Sequence, residues 1–186
     1  MKLVSKAFYL SSIAISIGIT DAIIILAISR IRTGSPQAVG GLILLSWIPL
    51  LYGGVVSIIL WYKSWAVIQD GHQRTTPGKA VGLFFIPLFN IYWAFQSIWG
   101  LSKDFNAYLQ RNSISEPRLP EGLFLAYTIS CFLVWPSILG SVLLVVNYIL
   151  ALIVVSILCD AINAVVRESV KQPSDRSGTA LESSNT

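Results

Sequence analysis

Four polar side chains sit inside long apolar runs: Asp21, Asn147, Asp160 and Asn163. A carboxylate at the centre of a bilayer costs about 2.5–3.5 kcal/mol, and less near its edge. A residue carried at that cost serves a proton or cation site, an ion pair, or a bond to the headgroups or a nearby Ser or Thr. The four together form a candidate intramembrane polar site. The other reactive residue types offer less. Cys131 and Cys159 lie in apolar runs with no CxxC or Cys/His companion, so they read as small buried hydrophobes rather than as a disulfide or zinc pair. His72, the sole histidine, stands in a polar loop without a motif around it. There is no HExxH and no phosphate-binding GxxxxGK[ST]. Asp21 and Asp160 lack the flanking Tyr-Asp or Gly-x-Gly-Asp of an intramembrane aspartyl protease, and the topology derived below puts them toward opposite faces. The expectation is a non-enzyme with no catalytic residue, no cofactor and no metal.

The setting for these residues is a membrane. Of 186 residues, 54% are hydrophobic and only 12% charged, and the mean hydropathy is +0.70. Soluble domains are about 25% charged, and the apolar residues here fall in blocks of about 20, the length a helix needs to cross a bilayer. The blocks do not alternate with period two, which excludes a transmembrane β-barrel. The expected class is all-α, a polytopic membrane helical bundle. A net charge of +4 places Lys and Arg beside the spans, where they set orientation. No basic stripe with interleaved aromatics lies outside the apolar runs, so no nucleic-acid partner is expected.

Read in order, residues 7–28 form a first span after Lys2 and Lys6. It is too long for a signal-peptide core and ends without a small-x-small cleavage site. Ala14, Gly18 and Ala22 repeat at spacing four along it, a small-residue groove that admits a close helix neighbour. Residues 41–60 form the second span. It contains Pro49 and the pair Gly53-Gly54, with Gly53 and Ser57 again at packing distance, and it closes on the interfacial belt Trp61-Tyr62-Lys63-Ser64-Trp65. The 37 uncharged or weakly polar residues from Leu123 to Cys159 measure about 55 Å as helix, nearly twice a ~30 Å bilayer core. They divide into spans at 121–138 and 141–163, with the turn at Pro136-Ser137-Ile138-Leu139-Gly140. The polar tail 172–186 is expected to be disordered and cytoplasmic.

The remaining stretch, 76–111, decides the topology. Thr76-Pro77 is a helix start. Only seven apolar residues follow Lys79 before Pro87, which breaks the helix, and Asn90 is placed to cap a second one. Beyond it Ile91, Phe95, Ile98, Leu101, Phe105 and Tyr108 share one helical face, with Tyr92, Gln96, Lys103, Asn106 and Gln110 opposite. This is either a re-entrant or interfacial helix–break–helix unit, or a fifth, kinked span. Five spans divide the 13 basic residues five against eight; four spans divide them eleven against two. The positive-inside rule favours four spans, both termini cytoplasmic and the central unit on the cytoplasmic face.

The string TPGKAVGLFFIPLFNIYWAFQSIWGLSKDFN at 76–106, followed by Cys159-Asp160-Ala161-Ile162-Asn163, resembles a group of uncharacterised bacterial multispanning membrane proteins of a domain-of-unknown-function family. The resemblance covers about 61–163 and is most specific over Phe85 to Trp93. It implies a multi-pass protein of the bacterial inner membrane and carries no activity. The leading functional expectation is a non-catalytic accessory or scaffold subunit that packs against lipid and other membrane helices, either of a partner protein or of further copies. The alternative is a small oligomeric transporter or channel for protons, ions or a small solute, using the polar site and the broken helix at Pro87 and Asn90.

Overall fold

The computed structural model describes residues 2–31, 34–133 and 140–182. Among the described residues every regular element is helical, and three helices are long and apolar enough to cross a membrane. The chain divides into two compact units, Lys6–Leu60 and Met1–Ser5 with Trp61–Thr186.

The first unit holds α1 (Lys6–Ser29) and the start of α2 (Pro36–Val67). Ser35 caps α2 by accepting from the Ala38 amide at 3.3 Å, with Pro36 in the first helical position, where its missing N–H is no loss. Gly34 permits the turn before it: a Cβ there would stand 2.8 Å from the Arg30 carbonyl oxygen. The two helices meet through hydroxyls. Ser16 donates to the carbonyl of Pro49, and Tyr52 donates to Ser12 at 3.2 Å. Ser12, Ser16 and Thr20 repeat at spacing four and are all buried. Thr20 turns its hydroxyl back onto the Ser16 carbonyl at 2.8 Å, so the polar atom does not face apolar surroundings unpaired.

Gly53 stands directly against Ser16, and any Cβ on it would overlap that side chain. Gly53 thus leaves room for Ser16 between the two helices. Ser57, its expected companion, donates to the Gly53 carbonyl of its own helix at 2.8 Å. Ala14, Gly18 and Ala22 are not on the contact face with Ser12 and Ser16. All three are exposed, and a Cβ on Gly18 would touch nothing within 4 Å.

The second unit begins with the end of α2 and a polar loop. Then comes α3 (Pro77–Gly82), capped by Thr76, which accepts from the Lys79 amide as expected. A 3-10 turn, Leu83–Phe85, follows and the helix stops. The chain resumes as α4 (Phe89–Ala94), passes through one π-helical turn, Phe95–Trp99, and continues as α5 (Gly100–Arg111). α6 (Glu121–Leu133) and α7 (Gly140–Glu182) complete the fold. α6 packs along α7 and against the π-turn, where Phe95 stacks on Phe132 at 6.1 Å. Phe105, Leu101, Phe124, Val154, Leu158 and Ile162 are fully buried here.

The structure bears on four further sequence expectations. Asn90 does not cap a helix: Leu88 holds the cap position, at φ +66°, and Asn90 lies inside α4 with its amide bonded to the Ile86 carbonyl. The inward face of the amphipathic helix is displaced. Ala94, Ser97, Ile98, Leu101, Ser102, Phe105 and Leu109 are buried while Ile91 is exposed, because the extra residue of the π-turn rotates the faces on its two sides. The helical backbone of α7 runs to Glu182, through residues assigned from composition to a disordered tail. The fourth expected span is seen only as the 13 residues of α6; the turn expected around Pro136 lies outside the described residues up to Gly140.

A Gly53→Val substitution is expected to force α1 from α2 and to lower the unfolding temperature in detergent, at a cost of about 1–3 kcal/mol. Gly54→Val is the control, since its Cβ would meet nothing within 4 Å. Equal behaviour of the two variants would refute the close contact.

Candidate functional site

The most constrained part of the chain is the turn between α3 and α4. Leu88 is a non-glycine residue at φ +66°, ψ −42°, and the Phe89 amide donates to the Pro87 carbonyl at 2.7 Å. This is a γ-turn of the positive-φ kind, which is rare and strained. Pro87 explains why the helix stops, since it brings no amide donor and crowds the turn before it. The strained residue is also the most exposed large apolar side chain described, at 85%, with Phe85 at 72% beside it. Phe89 stacks on Trp93, with ring centroids 5.7 Å apart.

Behind the tip the chain doubles back. Trp93 Nε1 donates to the Ala80 carbonyl at 3.1 Å, and Ser97 Oγ donates to the same oxygen at 2.9 Å. In a straight helix Ala80 and Ser97 would stand about 25 Å apart. The stretch 80–100 is thus a helical hairpin in its local geometry. Trp65 Nε1 then donates to the Ser97 carbonyl at 3.2 Å, which locks the end of α2 to the π-turn. Ser102 donates to the Trp99 carbonyl at 2.7 Å, and the Lys103 ammonium sits 3.4 Å above the Trp99 ring.

At the base of the hairpin the polar loop is clasped to α5 by two crossed ion pairs. The Arg74 guanidinium gives Asp104 two hydrogen bonds, at 2.9 and 2.7 Å, and the Arg74 amide adds a third at 3.0 Å. Arg74 also donates to Gln96 at 3.2 Å. Gly100 makes room for it: a Cβ there would approach Nη1 to 3.0 Å. In the reverse sense, Arg111 grips Asp70 at 3.0 and 3.1 Å. Asp70 further accepts from the His72 amide and the Gln73 side chain. Burial raises the Asp70 pKa, but the His72 amide and the Arg111 charge outweigh it, so the carboxyl is held below its ordinary 3.8 and stays ionised.

Two asparagines each pair with both backbone groups of one residue in the same way. Asn106 donates to the Leu119 carbonyl at 2.9 Å and accepts from the Leu119 amide at 2.7 Å, with a further bond to Glu121. Asn163 accepts from the Val4 amide at 2.7 Å and donates to the Val4 carbonyl at 2.8 Å. Each amide takes the place of a neighbouring strand.

The candidate polar site is accordingly distributed. Asn163 holds the N-terminal segment. Asn147 donates to Ser130 at 2.8 Å and to Cys131, between α7 and α6. Asp160 is exposed on α7 one turn from Asn163, but about 20 Å along the helix from Asn147. Asp21 belongs to the other unit, half-buried on α1. What sequence reading missed was the pair of ion pairs and the Ser12–Ser16 face. Both had a signal. Asp104 and Arg111 are seven apart on a helix, hence on one face, and Asp70 and Arg74 are four apart with the same order of charge. No family model matches the chain, and no curated protein or solved structure matches it either.

Asp104→Ala is expected to release the loop at a cost of about 1 kcal/mol, the upper range for a solvent-exposed ion pair. The readout is tryptic cleavage after Arg74, which should be slow in the parent protein and fast in the variant. An unchanged rate would show that the clasp does not hold the loop.

Proposed function

We propose that the chain is a non-catalytic scaffold subunit of a membrane, one whose helices pack against lipid and against the helices of a partner. The observation that carries this is the division of α1 into two close-packing faces. One, Ser12 and Ser16, is engaged with Gly53 of α2. The other, Ala14, Gly18 and Ala22, is exposed. Without a water-driven hydrophobic effect, helices in lipid associate through close packing and interhelical hydrogen bonds, and small residues at spacing four are what such packing requires. Bacterial inner-membrane placement rests on the resemblance over 76–106 alone.

In this reading four spans cross the bilayer, both termini are cytoplasmic, and the hairpin enters from the cytoplasmic side without crossing. Its chemistry is graded along its length. Phe85, Ile86, Leu88 and Phe89 at the tip are exposed and apolar, whereas Arg74, Asp70, Asp104 and Arg111 at the base are charged and paired. The ten residues 77–86 reach about 15 Å, half of a ~30 Å core, so the short arm limits the depth. Non-helical backbone at such depth is tolerated where protein satisfies it. Here Trp93 and Ser97 bond the Ala80 carbonyl.

Four measurements test the reading. With Cys131 and Cys159 replaced, a spin label at Leu88→Cys is expected to collide with oxygen in preference to a water-soluble nickel chelate, and Asn106→Cys in intact cells is expected to resist an impermeant thiol reagent added outside. A water-exposed Leu88 label, or external labelling at position 106, would overturn the topology. Gly18→Leu is expected to strip a stoichiometric partner from the complex isolated in mild detergent while leaving the thermal stability of the chain unchanged. Retention of the partner would remove the scaffold reading. Loss of a solute flux on Asp21→Asn at unchanged abundance would replace it with the transporter.

A further inference from the structure

The first unit contains an open groove of about 400 Å³ between the end of α1 and the start of α2. α1 gives it Leu26 and Arg30, four apart and so on one face. α2 gives it Ala38, Gly41, Leu42 and Leu45, which repeat at spacings of three and four. Room remains because Ala38 and Gly41 are small, and a Cβ on Gly41 would meet nothing within 4 Å. Leu26 and Leu45 are left exposed. From Ala38 to Leu45 the groove follows α2 for about 10 Å.

Charge decides what suits this groove. From Ala22 to Tyr62 the sequence carries Arg30 and Arg32 and no carboxylate. Asp21, the only acid on α1, is nine residues back from Arg30, about 13 Å along the helix and out of its reach. Among the described residues no carboxylate forms an ion pair with Arg30. The apolar span of α1 closes at Ser29, so Arg30 stands one residue beyond it, at the level of the headgroups if α1 crosses a bilayer. A phosphodiester offers a guanidinium two oxygens in the paired geometry that it favours. An ammonium on the same headgroup would find no carboxylate in the groove; a neutral glycerol headgroup leaves no charge unmatched. Beyond the headgroup, an acyl chain would lie against Leu26, Leu42 and Leu45. The volume falls within the about 300–1,000 Å³ of small-molecule sites.

We propose that this groove binds an anionic phospholipid, one whose headgroup carries a phosphate and no cation, with the phosphate on Arg30 and an acyl chain along Leu26, Leu42 and Leu45. The proposal rests on the membrane reading above, and it gives the lipid contact of that reading a place and a charge. On the topology proposed there, the turn between α1 and α2 lies on the face opposite the termini, so the lipid comes from that leaflet.

The test begins with alkaline carbonate extraction of native membranes. Release of the chain would overturn the membrane reading itself, and this proposal with it. If the chain is retained, the full-length protein is purified in detergent and titrated with dioleoyl phosphatidylglycerol and dioleoyl phosphatidylcholine, reading lipid adducts by native mass spectrometry and thermal stability in parallel. The expected result is preferential retention of phosphatidylglycerol. Arg30→Gln is expected to reduce that adduct about fivefold, as loss of one basic contact at a membrane surface implies. Gly41→Leu, which fills the groove from a position where a side chain meets no neighbour, is expected to reduce it as far with the helical content unchanged. Two controls are expected to leave it intact: Gly40→Leu, one residue away on α2, and Arg118→Gln, an exposed arginine of the second unit. Equal retention of phosphatidylcholine, full retention in Arg30→Gln or Gly41→Leu, or an equal loss in either control would overturn the site while leaving the membrane reading intact. Equal stabilisation by inorganic phosphate would overturn its assignment to lipid, and a dimer dispersed by Gly41→Leu with lipid adducts unchanged would give the groove to a second copy of the chain instead.

Discussion

A helix that stops inside an apolar segment leaves its last carbonyls without partners, and where water is excluded each must be met by the protein. The Ala80 carbonyl is where this chain meets that demand. α3 ends at Gly82, and the oxygen of Ala80 takes the indole N–H of Trp93 and the hydroxyl of Ser97 from the returning helix. Those two bonds both satisfy the break and define the fold-back. The same device recurs one step on. The π-turn disturbs the regular ladder around Ser97, and Trp65 supplies a donor to the Ser97 carbonyl. Two tryptophans thus tie α2, α3 and the returning helix together through backbone oxygens. This explains how so short an arm as α3 is held without a long interface of its own.

The clasp at the hairpin base works with this arrangement. The crossed pairs Asp70–Arg111 and Arg74–Asp104 reverse the order of charge between loop and helix, so a sliding of the loop along α5 would bring like charges together. Register is thereby set by electrostatics where the apolar contacts alone would permit slip. Exposed ion pairs contribute little to stability individually, about 0–1 kcal/mol. The Arg74 pair is the stronger element, because the Arg74 backbone amide adds a bond to the second Asp104 oxygen and the guanidinium sits in a slot that Gly100 leaves open.

Much of the helical architecture was legible from apolar run length, since a bilayer imposes the same ~20-residue requirement on any span. α1, α2 and the apolar part of α7 follow from it. Thr76-Pro77 and the stop at Pro87 were also legible, because caps and proline act through local backbone chemistry. The reach of the Asn90 argument was shorter. An Asn after a break is a good cap in general, but the γ-turn at Leu88 consumes the residues that would have placed it. The rotation of the buried face could not be read from 3.6-residue periodicity, because a π-turn adds one residue within the period. As for the polar site, composition identifies which side chains are costly in a membrane but not what they bond to. Asn147 and Asn163 are 16 residues apart on one helix and meet different segments.

The use to which the polar residues are put bears on the choice between scaffold and carrier. A carrier needs polar groups that exchange protein partners for solute. Asn163 and Asn106 instead make two bonds each to a single backbone residue, in the paired geometry of a β-ladder. A solute that displaced either would release a whole segment, Val4 at one end or Leu119 at the other. Polar groups bound in that way favour one fixed arrangement of the chain over two alternating ones. The small-residue face of α1 and the strained apolar tip at Leu88 stay exposed beside these fixed pairs.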